Sequence, residues 1–169
     1  MRLAFLLIAI VTSSVSFGQT EREKKMLDEI NYVRTQPKKY AEYINSYLDH
    51  WDSGSSERRT AEELRKQLLQ MKPLKPLAFS KDLYDAAKKH GDWMKRTRRF
   101  EHSDLPYGEN LVAGDSIIRF AMLNLLIDDG IPNRGHRKNI LSPEYTETAA
   151  YEILGKVGSD TFVFIQEFN

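Results

Sequence analysis

The sequence predicts an α+β fold, in which helices pack on a small and mainly antiparallel sheet. Apolar residues recur at helical spacing over most of the chain, and two β-rich runs joined by a glycine-containing segment close it. Helices first and a hairpin last are typical of this class. About 150 residues remain after an N-terminal leader, which is the ordinary size of one domain.

The N-terminus predicts a signal peptide over residues 1–18. Arg2 precedes an apolar run over residues 3–11, and small and polar residues follow it up to Gly18. About nine apolar residues are too few to span a bilayer, which needs roughly 20. We therefore expect cleavage before Gln19, one domain over residues 19–169, no transmembrane segment after cleavage, and a secreted or periplasmic location.

Four helices are predicted before the middle of the chain. Met26, Ile30 and Val33 mark the first, and Pro37 begins the second, since proline suits a first helical turn. Thr60 and Glu63 form a capping-box pattern, which predicts a third helix from Thr60 to about residue 70. The fourth is capped by Ser80 and has an inner stripe, which consists of Leu83, Ala87, His90 and Met94.

The second half predicts a structured loop, a short helix and a hairpin. Residues 100–114 lose periodicity and contain Pro106, Gly108 and Gly114, which favours the loop. An apolar helix is predicted over 117–127, and strands over 148–154 and 161–168. The last strand is apolar on both faces and is therefore expected to be central in the sheet.

Charge and cysteine content exclude some classes of protein. Lys+Arg 25 against Asp+Glu 24 gives a net charge of +1, so no long-range field favours nucleic acid as a partner. The chain has no cysteine, so packing without disulfides must stabilise it. An exported domain of this kind fits a bacterial envelope better than an animal secretory route.

Three short motifs in the loop-rich middle supply the candidate site residues. They are His102-Ser103, Gly108-Glu109-Asn110 and the segment 134–139, which contains His136 and Arg137. Each places a titratable or polar side chain in or beside a short polar turn, where a scaffold can direct it into a cleft. Asn110 and Asn139 are expected to hold these loops through hydrogen bonds to the backbone.

Together these motifs resemble the CAP family, the SCP-like secreted proteins related to cysteine-rich secretory and pathogenesis-related proteins. The resemblance covers nearly the whole mature chain. It is carried by Asn31, Arg34 and Pro37, by Leu83, Ala86, Ala87, His90 and Met94, by His102 and Ser103, by residues 108–111, by Gly135, His136, Arg137, Asn139, Ile140, Leu141 and Pro143, and by Gln166, Glu167 and Phe168.

The resemblance implies an α-β-α sandwich with a cleft of two histidines and acidic residues. The first histidine falls on His102, the first acid on Glu109 and the second histidine on His136. The second acid falls on Asp128 or Asp129, because the Trp and Glu that many relatives place before the second histidine are replaced here.

These side chains suit a divalent metal ion such as zinc or calcium, with His102, Glu109 and His136 as ligands and Asp128 beside them in the cleft. No cofactor is required by the sequence, and a histidine–glutamate hydrogen bond that only orders the loop is the competing interpretation. His90 is interpreted as a buried, hydrogen-bonded core histidine, since it lies on an apolar stripe.

Two functions follow as hypotheses. The first is an exported binding module whose cleft takes a metal ion, a lipid or sterol, a peptide or another envelope-derived ligand. The second is an extracytoplasmic hydrolase that uses a His/Glu site, with or without metal. Ser103 lacks a nucleophile elbow, so a serine mechanism is disfavoured.

Overall fold

The computed structural model describes residues 18–169, so the predicted signal peptide lies, except for Gly18, outside the described residues. The helices are α1 (Glu21–Thr35), α2 (Pro37–Tyr47), α3 (Ser56–Gln70), α4 (Lys81–Thr97), α5 (Ile118–Ile127) and α6 (Gly135–Leu141). The strands are β1 (Ala78–Phe79), β2 (Gly108–Ala113), β3 (Glu147–Val157) and β4 (Asp160–Phe168). Within residues 18–169, no helix has the length and apolar character needed to cross a membrane.

The sheet has the strand order β1-β3-β4-β2. β3 pairs with β4 and β4 with β2 in antiparallel fashion, and only the short β1 is parallel to its neighbour. The predicted mainly antiparallel sheet is therefore confirmed. The last strand is flanked on both sides, as its two apolar faces predicted.

Alternation along the strands divides the sheet into two faces, and both are covered. On one face Leu111, Val163 and Ile165 form a cluster with Ala87 and Met94 of α4. On the other face Val112, Phe164 and Phe168 join the larger core formed with the remaining helices. The predicted α-β-α sandwich is thus confirmed.

Strand β2 corrects the prediction of a loop over residues 100–114. Its six residues pair with β4 along their full length, with Glu109 opposite Glu167 and Asn110 opposite Gln166. Buried polar residues on both strands hide the apolar alternation on which the sequence prediction depended. The loop is confined to the residues before Gly108.

The start of α3 is a second correction. The helix begins at Ser56, because the Ser55 hydroxyl accepts a hydrogen bond of 3.1 Å from the Arg58 amide. Thr60, predicted as the cap, lies inside the helix and donates to Asp129 at 2.8 Å. Pro37 does occupy the first turn of α2, as predicted.

Helix α4 lies unusually close to β3 at Gly91. A Cβ atom on this residue would lie 2.7 Å from Cε1 of Tyr151, which is shorter than real Cβ contacts. Glycine therefore permits the approach of the helix to the sheet. His90 precedes it in sequence and is buried against the same face.

Candidate metal-binding cleft

Four structural elements bring the candidate side chains together. His102 lies on the loop between α4 and β2, and Glu109 lies in β2. Asp128 is the C-terminal cap of α5, and His136 belongs to the first turn of α6. The acids are buried, with side chains 5% and 1% exposed for Glu109 and Asp128, whereas His102 is 58% exposed.

Glu109 is held by three hydrogen bonds. Its Oε1 accepts from His102 Nδ1 at 2.7 Å and from the Ser103 amide at 2.9 Å, and its Oε2 is 2.8 Å from His90 Nδ1. Burial opposes ionisation, but these donors outweigh it, so the pKa of Glu109 lies well below its usual value. The hydrogen bond to Glu109 in turn raises the pKa of His102.

Asp128 holds the second imidazole. Its Oδ1 is 2.8 Å from His136 Nδ1, and its Oδ2 accepts from the backbone amides of His136 and Arg137 at 2.9 and 3.3 Å. The residue has a φ of 57°, in the left-handed region that ends α5. One carboxylate therefore both satisfies amides at the start of α6 and orients the imidazole.

Asp128, rather than Asp129, is the acid beside His136. The Asp129 carboxylate turns toward α3, where it accepts hydrogen bonds from the hydroxyls of Ser56 and Thr60. The alternative left open by the sequence is thereby decided by the turn after α5.

The two imidazole–carboxylate pairs face each other. The rings of His102 and His136 are stacked, with centroids 6.2 Å apart and an interplanar angle of 29°. Because each ring uses Nδ1 for a carboxylate, Nε2 is the atom left for a ligand. The structure thus brings His102, Glu109, Asp128 and His136 to one place.

The predicted supporting residues act on the backbone around the cleft. The Asn110 amide donates to the His136 carbonyl at 3.3 Å and to Gln166 Oε1 at 3.0 Å, while Asn139 donates to the Glu109 carbonyl at 3.3 Å. The expected hydrogen bonds from both asparagines to the backbone are therefore confirmed. They connect β2 to the start of α6.

Arg137 and Ser103 lie beside the cleft in different roles. The buried Arg137 guanidinium donates to the carbonyls of Leu126 and Ile127 at 2.6 and 2.9 Å, so it satisfies the end of α5. The Ser103 hydroxyl accepts only a long bond of 3.4 Å from the Leu105 amide. Ser103 contributes to the site through its own amide, which donates to Glu109.

Two residues join the site that the sequence did not assign to it. His90 is a buried, hydrogen-bonded histidine, as predicted, but its partner is Glu109 itself. Glu167 is fully buried opposite Glu109, and neither of its oxygens has a hydrogen-bond partner. Alternation along β4 places Glu167 on the same face as Val163 and Ile165, which is the signal that sequence reasoning overlooked.

A group of three possible metal ligands lies beneath the cleft. His90, Glu109 and Glu167 each offer a ligand atom, and these atoms all lie within 4.8 Å of one another. This group shares Glu109 with the predicted set of His102, Glu109 and His136 but takes different partners. Among residues 18–169, it is the group of at least three such side chains whose ligand atoms lie close enough together to hold one metal ion.

Two hollows adjoin the site. A cavity of about 340 Å³ is lined by His90, Trp93, His102 and Ser103. A second, of about 400 Å³, reaches His136 and Asp128 along a wall that includes Trp51, Val112, Leu125, Ile127 and Ile131. Both imidazoles of the cleft are therefore accessible to a small ligand.

Comparison with known families agrees with this arrangement. The profile of the family described as "CAP: Cysteine-rich secretory protein family" matches residues 27–168. The chain belongs to the CAP family. The match contains α4, β2, α6 and β4, which supply the side chains of the cleft in this CAP domain. A search of curated proteins found no match.

Proposed function

We propose that this CAP domain is an exported binding module whose cleft holds one divalent metal ion between His102 and His136. The observation that carries the proposal is the pairing of each imidazole with a buried carboxylate through Nδ1. Such pairing fixes the ring and leaves Nε2 as a basic donor for a metal. Zinc suits this environment, because it accepts imidazole nitrogen at about 2.0–2.1 Å and tolerates open positions.

In this proposal Glu109 and Asp128 orient the ligands. Oε1 of Glu109 is occupied by His102 and the Ser103 amide, and Asp128 is occupied by His136 and two backbone amides. Only two protein ligands then contact the ion, so the remaining positions are open to water or to a group on the bound molecule. Zinc would polarise that group.

Part of the hollow beside His136 suits an apolar group. Its apolar lining is Trp51, Val112, Ile127 and Ile131, and its polar lining includes Glu57, Asn124, Asp129 and the His136–Asp128 pair. A lipid, a sterol or an apolar part of a peptide or envelope component would place its chain on the apolar lining and a polar group near the imidazole. Nucleic acid is excluded from the proposal by the near-neutral charge.

Export depends on residues 1–18. N-terminal sequencing of the protein recovered outside the cytoplasm should begin at Gln19, in keeping with the small residues before the cut. Recovery of the chain in the cytoplasm with Met1 intact would contradict this part of the proposal.

A zinc titration followed by thermal unfolding tests the cleft. A metal that binds the native state stabilises it by about 2.7 kcal/mol at a concentration of 100 Kd, so the midpoint should rise with zinc. The rise should shrink in His102→Ala, His136→Ala and should persist in Ser103→Ala, since Ser103 contributes to the site through its backbone amide, which this substitution retains. No rise in the wild type, or an equal rise in the double variant, would reject the cleft as a metal site.

A hydrolase is the second candidate, because an imidazole bound to a carboxylate can also transfer protons. Turnover of an envelope polymer or ester that is lost in Glu109→Gln, with the fold retained, would support it. Turnover retained in that variant would remove Glu109 from any acid–base role.

A further inference from the structure

The strongest unexplained feature of the domain is the buried carboxyl of Glu167. The residue is 0% exposed, and both of its oxygens are sealed from solvent without a hydrogen-bond partner. Buried polar atoms are satisfied in the great majority of cases, and a buried carboxylate without a partner costs several kcal/mol. Either a proton or a bound cation is needed to satisfy this side chain.

The surroundings of Glu167 define the chemistry of that group. Directly across the β2–β4 pair lies Glu109, and α4 presents His90 above both. The Nε2 atom of His90 is likewise buried without a partner. The three side chains offer two carboxylate oxygens and one imidazole nitrogen, all within 4.8 Å of one another.

We propose that His90, Glu109 and Glu167 form a second divalent-cation site, buried beneath the cleft. Two carboxylates balance the charge of a divalent ion, so the ion would leave the buried pocket neutral. Mixed oxygen and imidazole ligation suits Zn²⁺ and Mn²⁺ better than Ca²⁺, which takes six to eight oxygens. The proposal does not depend on a metal in the cleft above.

The spacing of the three ligand atoms is compatible with an ion. Two ligands of one zinc ion, with bonds of about 2.0–2.2 Å, lie at most about 4.4 Å apart, and the three atoms here all lie within 4.8 Å of one another.

Glu109 has one oxygen for each site. Oε1 accepts from His102 and the Ser103 amide on the cleft side, and Oε2 lies beside His90. The ion would therefore use Oε2 without breaking the contacts that hold His102. The hollow lined by His90, His102 and Trp93 reaches one of the three proposed ligands, His90.

Without the ion, a proton satisfies the pocket. Burial and the charge of Glu109 raise the pKa of Glu167 to about 9, so Glu167 is neutral at physiological pH until a cation displaces its proton. Metal and proton therefore compete for the same carboxyl group.

Zinc stoichiometry of the purified protein, measured by equilibrium dialysis, separates the two sites. Two ions are expected in the wild type, one in Glu167→Gln and one in His102→Ala, His136→Ala. Glu152→Gln is the matched control, since Glu152 is another buried carboxylate but binds Arg22 away from the site. It should retain two ions. In His90→Gln, affinity for the buried ion should fall at least about 100-fold.

The outcomes distinguish the buried site from the cleft. One ion that is lost in Glu167→Gln but kept in the double histidine variant would support the buried site and reject the cleft. Stoichiometry that Glu167→Gln leaves unchanged would overturn the buried site, whatever the cleft does.

An infrared measurement on the wild type tests the buried site without a substitution, and therefore also if Glu167→Gln does not fold. The carboxylic-acid carbonyl band of Glu167 should disappear when zinc or Mn²⁺ saturates the protein. A band that persists at saturation would mean that the pocket holds a proton only, and the proposal would be wrong.

Discussion

Glu109 and Asp128 each hold one imidazole of the cleft, yet they are embedded in different ways. Asp128 accepts hydrogen bonds from two backbone amides at the start of α6, and none of its hydrogen-bond partners is an acid. Glu109 accepts from two imidazoles and one amide, and it lies opposite the buried Glu167. The Asp128 half of the cleft is part of the helical framework. The Glu109 half is a cluster of titratable groups, in which hydrogen bonds favour ionised Glu109 and burial opposes it.

The difference extends to the histidines. His136 is fixed on α6 and its side chain is only 16% exposed. His102 lies on a loop, and its side chain is 58% exposed. Loop residues adjust more easily than helical ones. The His102 side of the cleft is therefore expected to move when a ligand enters, against a nearly fixed His136 side.

The largest effect on this comparison should come from Asp128→Ala. The substitution leaves two amides and a buried imidazole without their acceptor and places alanine in the left-handed region, so unfolding free energy should fall by roughly 2–4 kcal/mol. Urea unfolding measures it. Asp129→Ala is the matched control and should cost less, because its carboxylate is only partly buried and accepts hydrogen bonds from two side-chain hydroxyls. Equal losses would mean that Asp128 has no special place in the framework.

Glu109→Gln should have a smaller effect, a loss of about 1–2 kcal/mol in the metal-free protein. Charge-assisted hydrogen bonds weaken, and above about pH 9, where Glu167 ionises, repulsion with Glu167 is relieved at the same time. At that pH the same substitution in a Glu167→Gln background should therefore cost more than in the wild type. A double-mutant cycle measures that coupling. Additive effects would contradict the idea of two opposing acids.

The pH dependence of stability gives the most specific test of this comparison. The folded-state pKa of Glu167, about 9, lies above its unfolded value, so its stabilising contribution is complete below about pH 4.5 and is lost as pH rises toward 9. The raised pKa of His102 acts in the same direction above its unfolded value of about 6.5.

Glu167→Gln removes the first of these contributions. In metal-free protein, the stability of this variant should increase relative to that of the wild type as pH increases from 5 to 9, measured by thermal unfolding at each pH. A gap that stays constant with pH would show that Glu167 is not protonated in the native state. The lowered pKa of Glu109 has the opposite sign and acts only at acidic pH.

The sequence predicted the layers of the fold better than the contents of the site. Helical periodicity located α1, α2, α4 and α5, and the β-rich runs located β3 and β4. The prediction of a loop at the position of β2 was wrong because Glu109 and Asn110 are buried by pairing with β4, which the local sequence pattern does not show. The prediction that Thr60 caps α3 was wrong because Ser55 caps the helix five residues earlier.

The predicted cleft residues do come together, but spacing could not show which atoms meet. His90 was expected in the core, and only the depth of α4 on the sheet brings it to Glu109. Glu167 is the penultimate residue of a strand in which the two residues before it on the same face are apolar, so the pattern around it gave no other sign of a polar site. Choosing Asp128 over Asp129 required the backbone turn after α5, where one residue of difference sends the carboxylate to another helix.

The geometry of the site depends on the lack of a Cβ atom at Gly91. Glycine inside a helix costs about 0.5–1 kcal/mol relative to alanine, yet here it lets the backbone of α4 rest against the Tyr151 ring. A methyl group at this position would act as a spacer and lift the adjacent imidazole away from both acids. The distance that His90 reaches into the pocket is therefore set by how closely α4 packs on β3.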